Sequence, residues 1–404
     1  MNALPDPFCA NPIVRSLLET DLYKFTMQQV LLHKHPDSHA EFEFRCRNTP
    51  AFPLVELEQD INRELDHLCT LRFTNQELAW LSSLRFLKPD YIEFLSLFQF
   101  RRKFIRVWRD GDQLRINAVG PQIHVMGFEI PVLYIVSELY MRRLDPEGAA
   151  LEEGARRLNQ KVAQLREFGG RPAKAHPYVF FDFGLRRRHS RAMHELVTAT
   201  LSQQVPEYFK GTSNCYLAMT QGLTAIGTMA HEYLQSFQQF GVRLRDFQKA
   251  ALETWVQEYR GDLGVALTDV VGIDAFLADF DRYHGLLWDG VRHDSGDPVL
   301  WGEKMLARYA QLHIDASTKR FVFSDGLDLS TSFDLYQRFG DAAGFAAGIG
   351  TFLTNDTGLE PLNLVMKVVE VNGGPVAKLS DSPGKSMCRD EGFVSYLRQV
   401  FDHP

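Results

Sequence analysis

Phe181-Asp182-Phe183-Gly184-Leu185-Arg186-Arg187-Arg188, directly after the apolar run Tyr178-Val179-Phe180, is the stretch whose reading decides the fold. It reads as a buried strand that delivers an aromatic ring and a cluster of guanidinium groups to its own C-terminal end. In parallel α/β architectures the loops after the strands build the active site. Gly184 frees the backbone for a sharp exit, and the planar fork of Arg186 suits a carboxylate or phosphate taken bidentately. A flat, acidic small molecule is the natural guest. The competing reading is a packed aromatic core followed by a solvated arginine face, so the company this stretch keeps decides between them.

Downstream, short apolar runs alternate with helical patterns. Strands are predicted at Ala225 to Met229, Gly264 to Thr268, Gly290 to Arg292, Arg320 to Phe323 and Phe345 to Gly350. Helices are predicted near 190–204, 232–240, 245–259, 273–280, 298–312 and 330–339, with Lys210 to Asn214 as a loop. This order argues a parallel βα array with barrel-like closure. Upstream, Leu17, Leu18, Leu22, Phe25 and Met27 predict an amphipathic helix over 16–29 with Thr20 as its cap. Asp21, Tyr23 and Lys24 place an acid, a phenol and an ammonium together within it. Ala40 to Arg47 alternates as a half-buried strand, with Phe42, Phe44 and Cys46 on one face. Helices follow over 52–98, strands over 101–119 and 123–128, a buried helix over 131–143 and an amphipathic stretch over 148–165. Asn372-Gly373-Gly374 predicts a hairpin turn within 363–378. That segment is expected to return and complete the N-terminal sheet. The predicted organisation is an α+β region over 1–140, a barrel over 141–360 and a C-terminal completion over 361–404.

Composition excludes several classes. With 404 residues, 45% hydrophobic and 24% charged, the chain can bury a substantial core and is an ordinary globular sequence. Its formal net charge of -7 does not suggest a general nucleic-acid binder. The five cysteines, Cys9, Cys46, Cys69, Cys215 and Cys388, form no C-x-x-C pair, so neither a disulfide framework nor a zinc knuckle is expected. Met1 to Pro7 lacks the marks of a secretory leader, and no apolar run approaches the ~18 residues of a membrane span. A cytoplasmic protein with no membrane partner is expected.

Three glycine-bearing strand ends recur: Arg292-His293-Asp294-Ser295-Gly296-Asp297, Ser324-Asp325-Gly326-Leu327-Asp328 and Gly348-Ile349-Gly350-Thr351. Glycine there lets backbone amides approach an anion, and the last two resemble a barrel phosphate site, with Ser324, Gly326, Gly348, Gly350 and Thr351 as candidate contacts. Asp294 and Asp297 offer hard oxygens for ribose hydroxyls or for a Mg²⁺ carried by a polyphosphate; Asp297 equally suits a helix cap before Pro298. Arg292, at a strand end, is costly to bury without an anion. His231 opens a helix where acid, base or nucleophile would be placed. No second histidine at ligand spacing accompanies it, so zinc is not expected. Asp269 at the next strand end could orient its imidazole.

As a set, Glu19-Thr20-Asp21-Leu22-Tyr23-Lys24-Phe25-Thr26-Met27, Phe181 to Arg186, Thr228-Met229-Ala230-His231-Glu232, His293 to Pro298, Ser324 to Leu327 and Gly348 to Thr351 resemble the nicotinate phosphoribosyltransferase family in order, over about Leu17 to Met387. The resemblance implies a type II phosphoribosyltransferase fold, an irregular α/β barrel beside an α+β domain built from both termini. It implies a homodimer with shared active sites, in which Tyr23 crosses from the partner to stack on a pyridine ring opposite Phe183. Arg186, with Thr212 and Ser213, would bind the carboxylate, and Arg292 the ring or phosphate. The implied reaction makes nicotinate mononucleotide and pyrophosphate from nicotinate and phosphoribosyl pyrophosphate, with Mg²⁺. ATP as co-substrate would phosphorylate His231 transiently, in salvage toward NAD. Lys210 to Asn214 holds donors and no anion, which favours the acid over the amide. The alternatives are a nicotinamide or quinolinate enzyme of the same fold, and a non-catalytic phosphate-binding oligomer.

Overall fold

The structure is a computed structural model that describes residues 12–379, 381 and 387–402. Met1 to Pro7 and Cys9, read above for leader and thiol chemistry, lie outside them. The described chain forms two sheets. One is antiparallel and built from β1 (His39–Cys46), β2 (Ile105–Asp110), β3 (Gln113–Pro121), β10 (Leu364–Val371) and β11 (Gly374–Pro375), in the order β11-β10-β1-β3-β2. The other is parallel, from β4 (Phe180–Asp182), β5 (Phe209–Thr212), β6 (Val265–Leu267), β7 (Gly290–His293), β8 (Arg320–Phe323) and β9 (Gly344–Ile349), in the order β5-β4-β9-β8-β7-β6.

Read as a ring, the parallel sheet runs in chain order from β5 through the following segment to β6 and on to β9, which pairs with β4. The gap between β5 and β6 is bridged irregularly: Ala225 makes a single parallel bridge to Thr212, and Thr228 Oγ1 donates to Val265 O at 3.0 Å. Phe181, Val322 and Ala346, with Val179, Phe183, Ile226 and Val265, fill the interior. This is an irregular α/β barrel whose lumen is packed, not open. Its strands are buried on both faces, which is why Arg320 to Phe323 and Gly344 to Ile349 read as near-continuous apolar runs.

Four of the helices after the strands begin at side-chain caps. Asp297 accepts from Val299 N and Leu300 N with Pro298 in the first turn, Asp328 from Thr331 N, Ser190 from Met193 N, and Asn214 from Tyr216 N and Leu217 N. Asp297 is therefore the cap of Pro298–Gln311. In the antiparallel sheet β10 lies between β1 and β11, so the chain end lies beside its beginning. Asn372 and Gly373 at φ 49° and 78° make the tight turn between β10 and β11. Phe42 and Phe44 of β1 are core, but Glu43 on the other face is also buried, because Arg389 covers it and bonds Glu43 at 3.0 Å.

Several expectations differ. Residues 123–128, expected as a strand, lie in the helical Gln122–Val125 and Met126–Phe128 that lead into Glu129–Leu144. The stretch Gln122–Leu144 is long and apolar enough to cross a membrane by length and composition alone, but most of it is buried inside the protein as a core helix. Ala225 to Met229 makes one bridge and no strand, with Gly227 at φ 148° interrupting it. Lys210 to Thr212, expected within a loop, belong with Phe209 to β5. The first helix spans Leu22–Lys34, so Thr20 does not cap it; Asp21 occupies that position with its carboxylate engaged elsewhere.

Candidate active site

The C-terminal ends of the parallel strands share one rim, and the segment before Leu22–Lys34 is stitched across it. Leu22 N donates to Ser213 O at 2.9 Å and Cys215 N to Thr20 O at 3.0 Å. Asp182, fully buried at the end of β4, fixes the exit turn: its Oδ2 accepts from His194 Nε2 and Thr212 Oγ1, each at 2.6 Å, and its Oδ1 from Gly184 N at 2.8 Å. Burial works to raise its pKa, but those donors outweigh it and hold the carboxyl below the usual range.

That turn aims four side chains. Phe183 is half-buried, its N bonded to Ile349 O at 2.9 Å, and its ring occupies the space a Cβ on Gly348 would need, 2.3 Å away. The three arginines diverge. Arg188 is fully buried between Glu19 and Glu138 and lies 4.6 Å over the Tyr134 ring. Arg187 donates to Leu364 O at 3.0 Å, and burial beside Arg186 and Arg47 lowers its pKa to about 10. Arg186 keeps 39% of its side chain exposed, and its nearest carboxylates, Asp21 and Glu129, are both 3.9 Å away, too far for a hydrogen bond. Its fork is open. Tyr23, then Glu129, Asp21 and Asp294, favour its charged form against the cost of burial.

Across the rim stands His231, first residue of His231–Ser236 and 7% exposed. Its Nε2 lies 2.8 Å from Asp269 Oδ1, and its Nδ1 lies 3.6 Å from Asp294 Oδ2. The other oxygen of Asp269 takes Lys378 Nζ at 2.5 Å and the Ser295 hydroxyl. These donors hold Asp269 ionised well below its usual pKa despite burial. An ionised Asp269 requires the proton on Nε2, which leaves the lone pair on Nδ1. Burial, then Lys378, lowers the imidazole pKa against the pull of both aspartates. Asp294 is kept ionised chiefly by Arg292, whose Nη1 donates to Met229 O at 3.0 Å.

The profile of the nicotinate phosphoribosyltransferase (NAPRTase) N-terminal domain matches residues 18–137, and that of the nicotinate phosphoribosyltransferase (NAPRTase) family matches residues 178–404. The chain belongs to this family. It is 64% identical over 393 residues to a nicotinate phosphoribosyltransferase of Herminiimonas arsenicoxydans, covering 97% of this chain and 99% of that one. It is 57% identical over 395 residues to that of Chromobacterium violaceum, covering 97% and 98%. The crystal structure of a nicotinate phosphoribosyltransferase from Vibrio cholerae superposes with a TM-score of 0.91 at 37% identity, covering 98% of this chain and 95% of that one.

Against the residues singled out in the sequence, this nicotinate phosphoribosyltransferase family member brings His231, Asp269, Asp294 and Arg292 together on one side, and Phe183, Arg186 and Tyr23 on the other. Tyr23 was expected from a partner subunit; its own chain seats it beside Arg186, because the bonds at 213–215 draw the first helix over its own barrel. Thr212 and Ser213 do not present free hydroxyls to a ligand: one donates to Asp182, the other to Asp21 at 2.6 Å. Asp21 also brings a carboxylate to a loop that has none of its own, and burial raises its pKa. Gly348 lies inside β9, buried, as the seat of the Phe183 ring. Ser324 Oγ lies 2.9 Å from both His293 O and Asp294 Oδ1. Gly326, at φ 60° with no atom within 4 Å of its Cβ position, and half-exposed Gly350 and Thr351 remain open to a ligand. The sequence reading missed Glu129, Lys367 and Lys378. A lone lysine inside the apolar run Val365-Met366-Lys367-Val368-Val369 was the one available signal.

Proposed function

We propose that the chain is an ATP-coupled nicotinate phosphoribosyltransferase acting in NAD salvage in the cytoplasm. The observation that carries this reading is the open Arg186 fork beside Phe183 and Tyr23, facing His231 across the rim of one barrel. Nicotinate would lie flat between the two rings with its carboxylate on Arg186. Its ring nitrogen attacks C1 of phosphoribosyl pyrophosphate; the bond from C1 to the pyrophosphate oxygen breaks, and its electron pair leaves with pyrophosphate. Positioning and charge stabilisation do most of the work, with Arg292 and the open amides around Gly326 and Gly350 placed for phosphate oxygens. In the ATP half-reaction Nδ1 of His231, oriented through Asp269, takes the γ-phosphoryl group and ADP leaves; water later returns the group as phosphate.

Asp294 is the carboxylate suited to a Mg²⁺ carried by the substrates. Among the described residues its Oδ2 takes no hydrogen bond, His231 standing off at 3.6 Å, whereas both oxygens of Asp269 are engaged. Such an ion would neutralise charge on the leaving pyrophosphate. A dimer remains part of the proposal only as an assembly, since a single chain supplies Tyr23.

A second reading, the nicotinamide enzyme, is favoured by one observation: Asp21, held by Ser213, could accept from an amide. Its raised pKa weakens its charge, and Arg186 and Lys367 both face the pocket, so the acid is the better guest. Steady-state assay of nicotinate, nicotinamide and quinolinate with phosphoribosyl pyrophosphate and Mg²⁺, with and without ATP, tests both. Faster turnover of nicotinamide refutes the first reading, and no mononucleotide from any pyridine refutes catalysis.

A further inference from the structure

Behind Arg186 lies a buried chain of charge that reaches the helix of His231. Lys24 Nζ binds Glu129 Oε2 at 2.7 Å and Glu232 Oε1 at 2.6 Å, and all three side chains are at most 6% exposed. The other oxygen of Glu129, Oε1, points toward the pocket. It lies 3.9 Å from Arg186 Nη1 and 3.7 Å from Lys367 Nζ, close enough to attract both and too far to bond either. Glu129 thus stands just short of bonding distance to Arg186, and its carboxylate is the chemical equivalent of the substrate's. What restrains it is the short bond on its far side.

Lys24 is itself tightly held. It leaves the first helix beneath Tyr23 and sits 5.7 Å from the centres of the Tyr23 and Phe42 rings. Its helix is pinned by Thr26 Oγ1 to Thr228 O at 2.6 Å, three residues before His231. An ammonium placed between two carboxylates in a site this dry is not a surface pair of negligible worth. Breaking such a pair leaves an uncompensated buried charge, which takes the nearest opposite charge available. For Glu129 two cations stand at nearly equal reach, Lys367 Nζ at 3.7 Å and Arg186 Nη1 at 3.9 Å; of the two, only the planar fork of Arg186 offers a bidentate pair, the stronger contact.

We propose that Lys24 is a positioning residue for the acid substrate: by anchoring Glu129 it keeps an internal carboxylate off Arg186 and so keeps the fork free. This rests on the nicotinate reading of the pocket. Two directions of pKa agree with it. Burial opposes the charge of Glu129, but Lys24, Lys367 and Arg186 hold it ionised, at about 2; burial raises Glu232, with less help, to about 7.

The test is a set of three variants and wild type, all as full chains, with folding checked by circular dichroism and thermal unfolding. Lys24→Met raises KM for nicotinate on the order of tenfold or more, the worth of a charged hydrogen bond, while KM for phosphoribosyl pyrophosphate changes by no more than about twofold. Adding Glu129→Gln to Lys24→Met removes the competing charge and returns KM for nicotinate to within about threefold of wild type, a rescue that loss of packing alone would not give. A folded Lys24→Met with unchanged nicotinate KM, or a double variant no better than the single one, overturns the proposal. Should Lys24→Met not fold, Glu129→Gln alone decides: unchanged or lower KM for nicotinate supports the proposal, and a raised KM refutes it. Wild type that makes no nicotinate mononucleotide in the same assay sinks the function reading instead, so the two failures are distinct.

Discussion

Gly348→Ala separates two roles that the sequence could not. An added Cβ would stand 2.3 Å from two atoms of the Phe183 ring, where ordinary contact begins beyond 3.4 Å, so about an ångström of movement is required. The Phe183 backbone cannot supply it, being bonded through N to Ile349 O at 2.9 Å. The half-buried ring must therefore swing about its χ angles toward the pocket. Overpacking of this kind costs about 1–3 kcal/mol. Because the ring has an open side, most of that appears as a displaced stacking partner, a loss of roughly fivefold to a hundredfold in nicotinate affinity at about 1.4 kcal/mol per tenfold. The assay is steady-state KM for each substrate with the other saturating. A raised KM for nicotinate with phosphoribosyl pyrophosphate little changed is expected. The reverse pattern would return Gly348 to the phosphate and refute the reasoning.

Other expectations follow from the same contacts. Arg188→Met removes the buried cation that Glu19 and Glu138 share, leaving Glu19 to Arg191 and Glu138 to Arg142, and should lower unfolding free energy by about 3 kcal/mol in urea titration, with nicotinate selectivity retained if the chain folds. His231→Gln should abolish ATP hydrolysis linked to transfer while sparing slow transfer, read by the ratio of phosphate to mononucleotide formed. The lowered pKa of His231 means its neutral form is favoured in the fold, so ATP-dependent activity should be full above the usual histidine value of 6.5 and lost only as pH falls through a lower midpoint; a midpoint at or above that value counts against the buried imidazole. Since Tyr23 belongs to its own chain's site, specific activity should not fall on dilution through any dimer dissociation seen by light scattering.

What was legible in the sequence was what depends on neighbours along the chain. Arg320 to Phe323 and the capped helices around it follow from apolar runs and Asp at the helix starts. Residues 123–128 misled because a short apolar run has no period to separate helix from strand. Phe209–Thr212 was hidden because Lys-Gly-Thr carries little strand preference and its pairing with β4 is a matter of tertiary context. The site shows the same division. His231 and Asp269 were readable from their places at successive strand ends. The hydroxyls of Thr212 and Ser213 were readable as donors, but the sequence does not display an acceptor: theirs are Asp182 and Asp21, far away along the chain.

The return of the chain to the first sheet has a chemical reason beyond closing an edge. To set the proton on Nε2 of His231, Asp269 must be ionised and 1% exposed, a condition that costs several kcal/mol unless charge compensates it. The barrel supplies a neutral imidazole and the Ser295 hydroxyl, neither of them a cation. Lys378 arrives from beyond β11, on backbone bonded to the barrel on both sides, by Ala377 N to Gln238 Oε1 at 2.9 Å and Leu379 N to Val270 O at 2.8 Å. Lys367, on β10, does the corresponding service for Glu129 at the other end of the pocket. One returning segment thus brings two of the balancing ammoniums, beside Lys24 from the first helix, which makes the sheet built from both ends of the chain part of the electrostatics of the site.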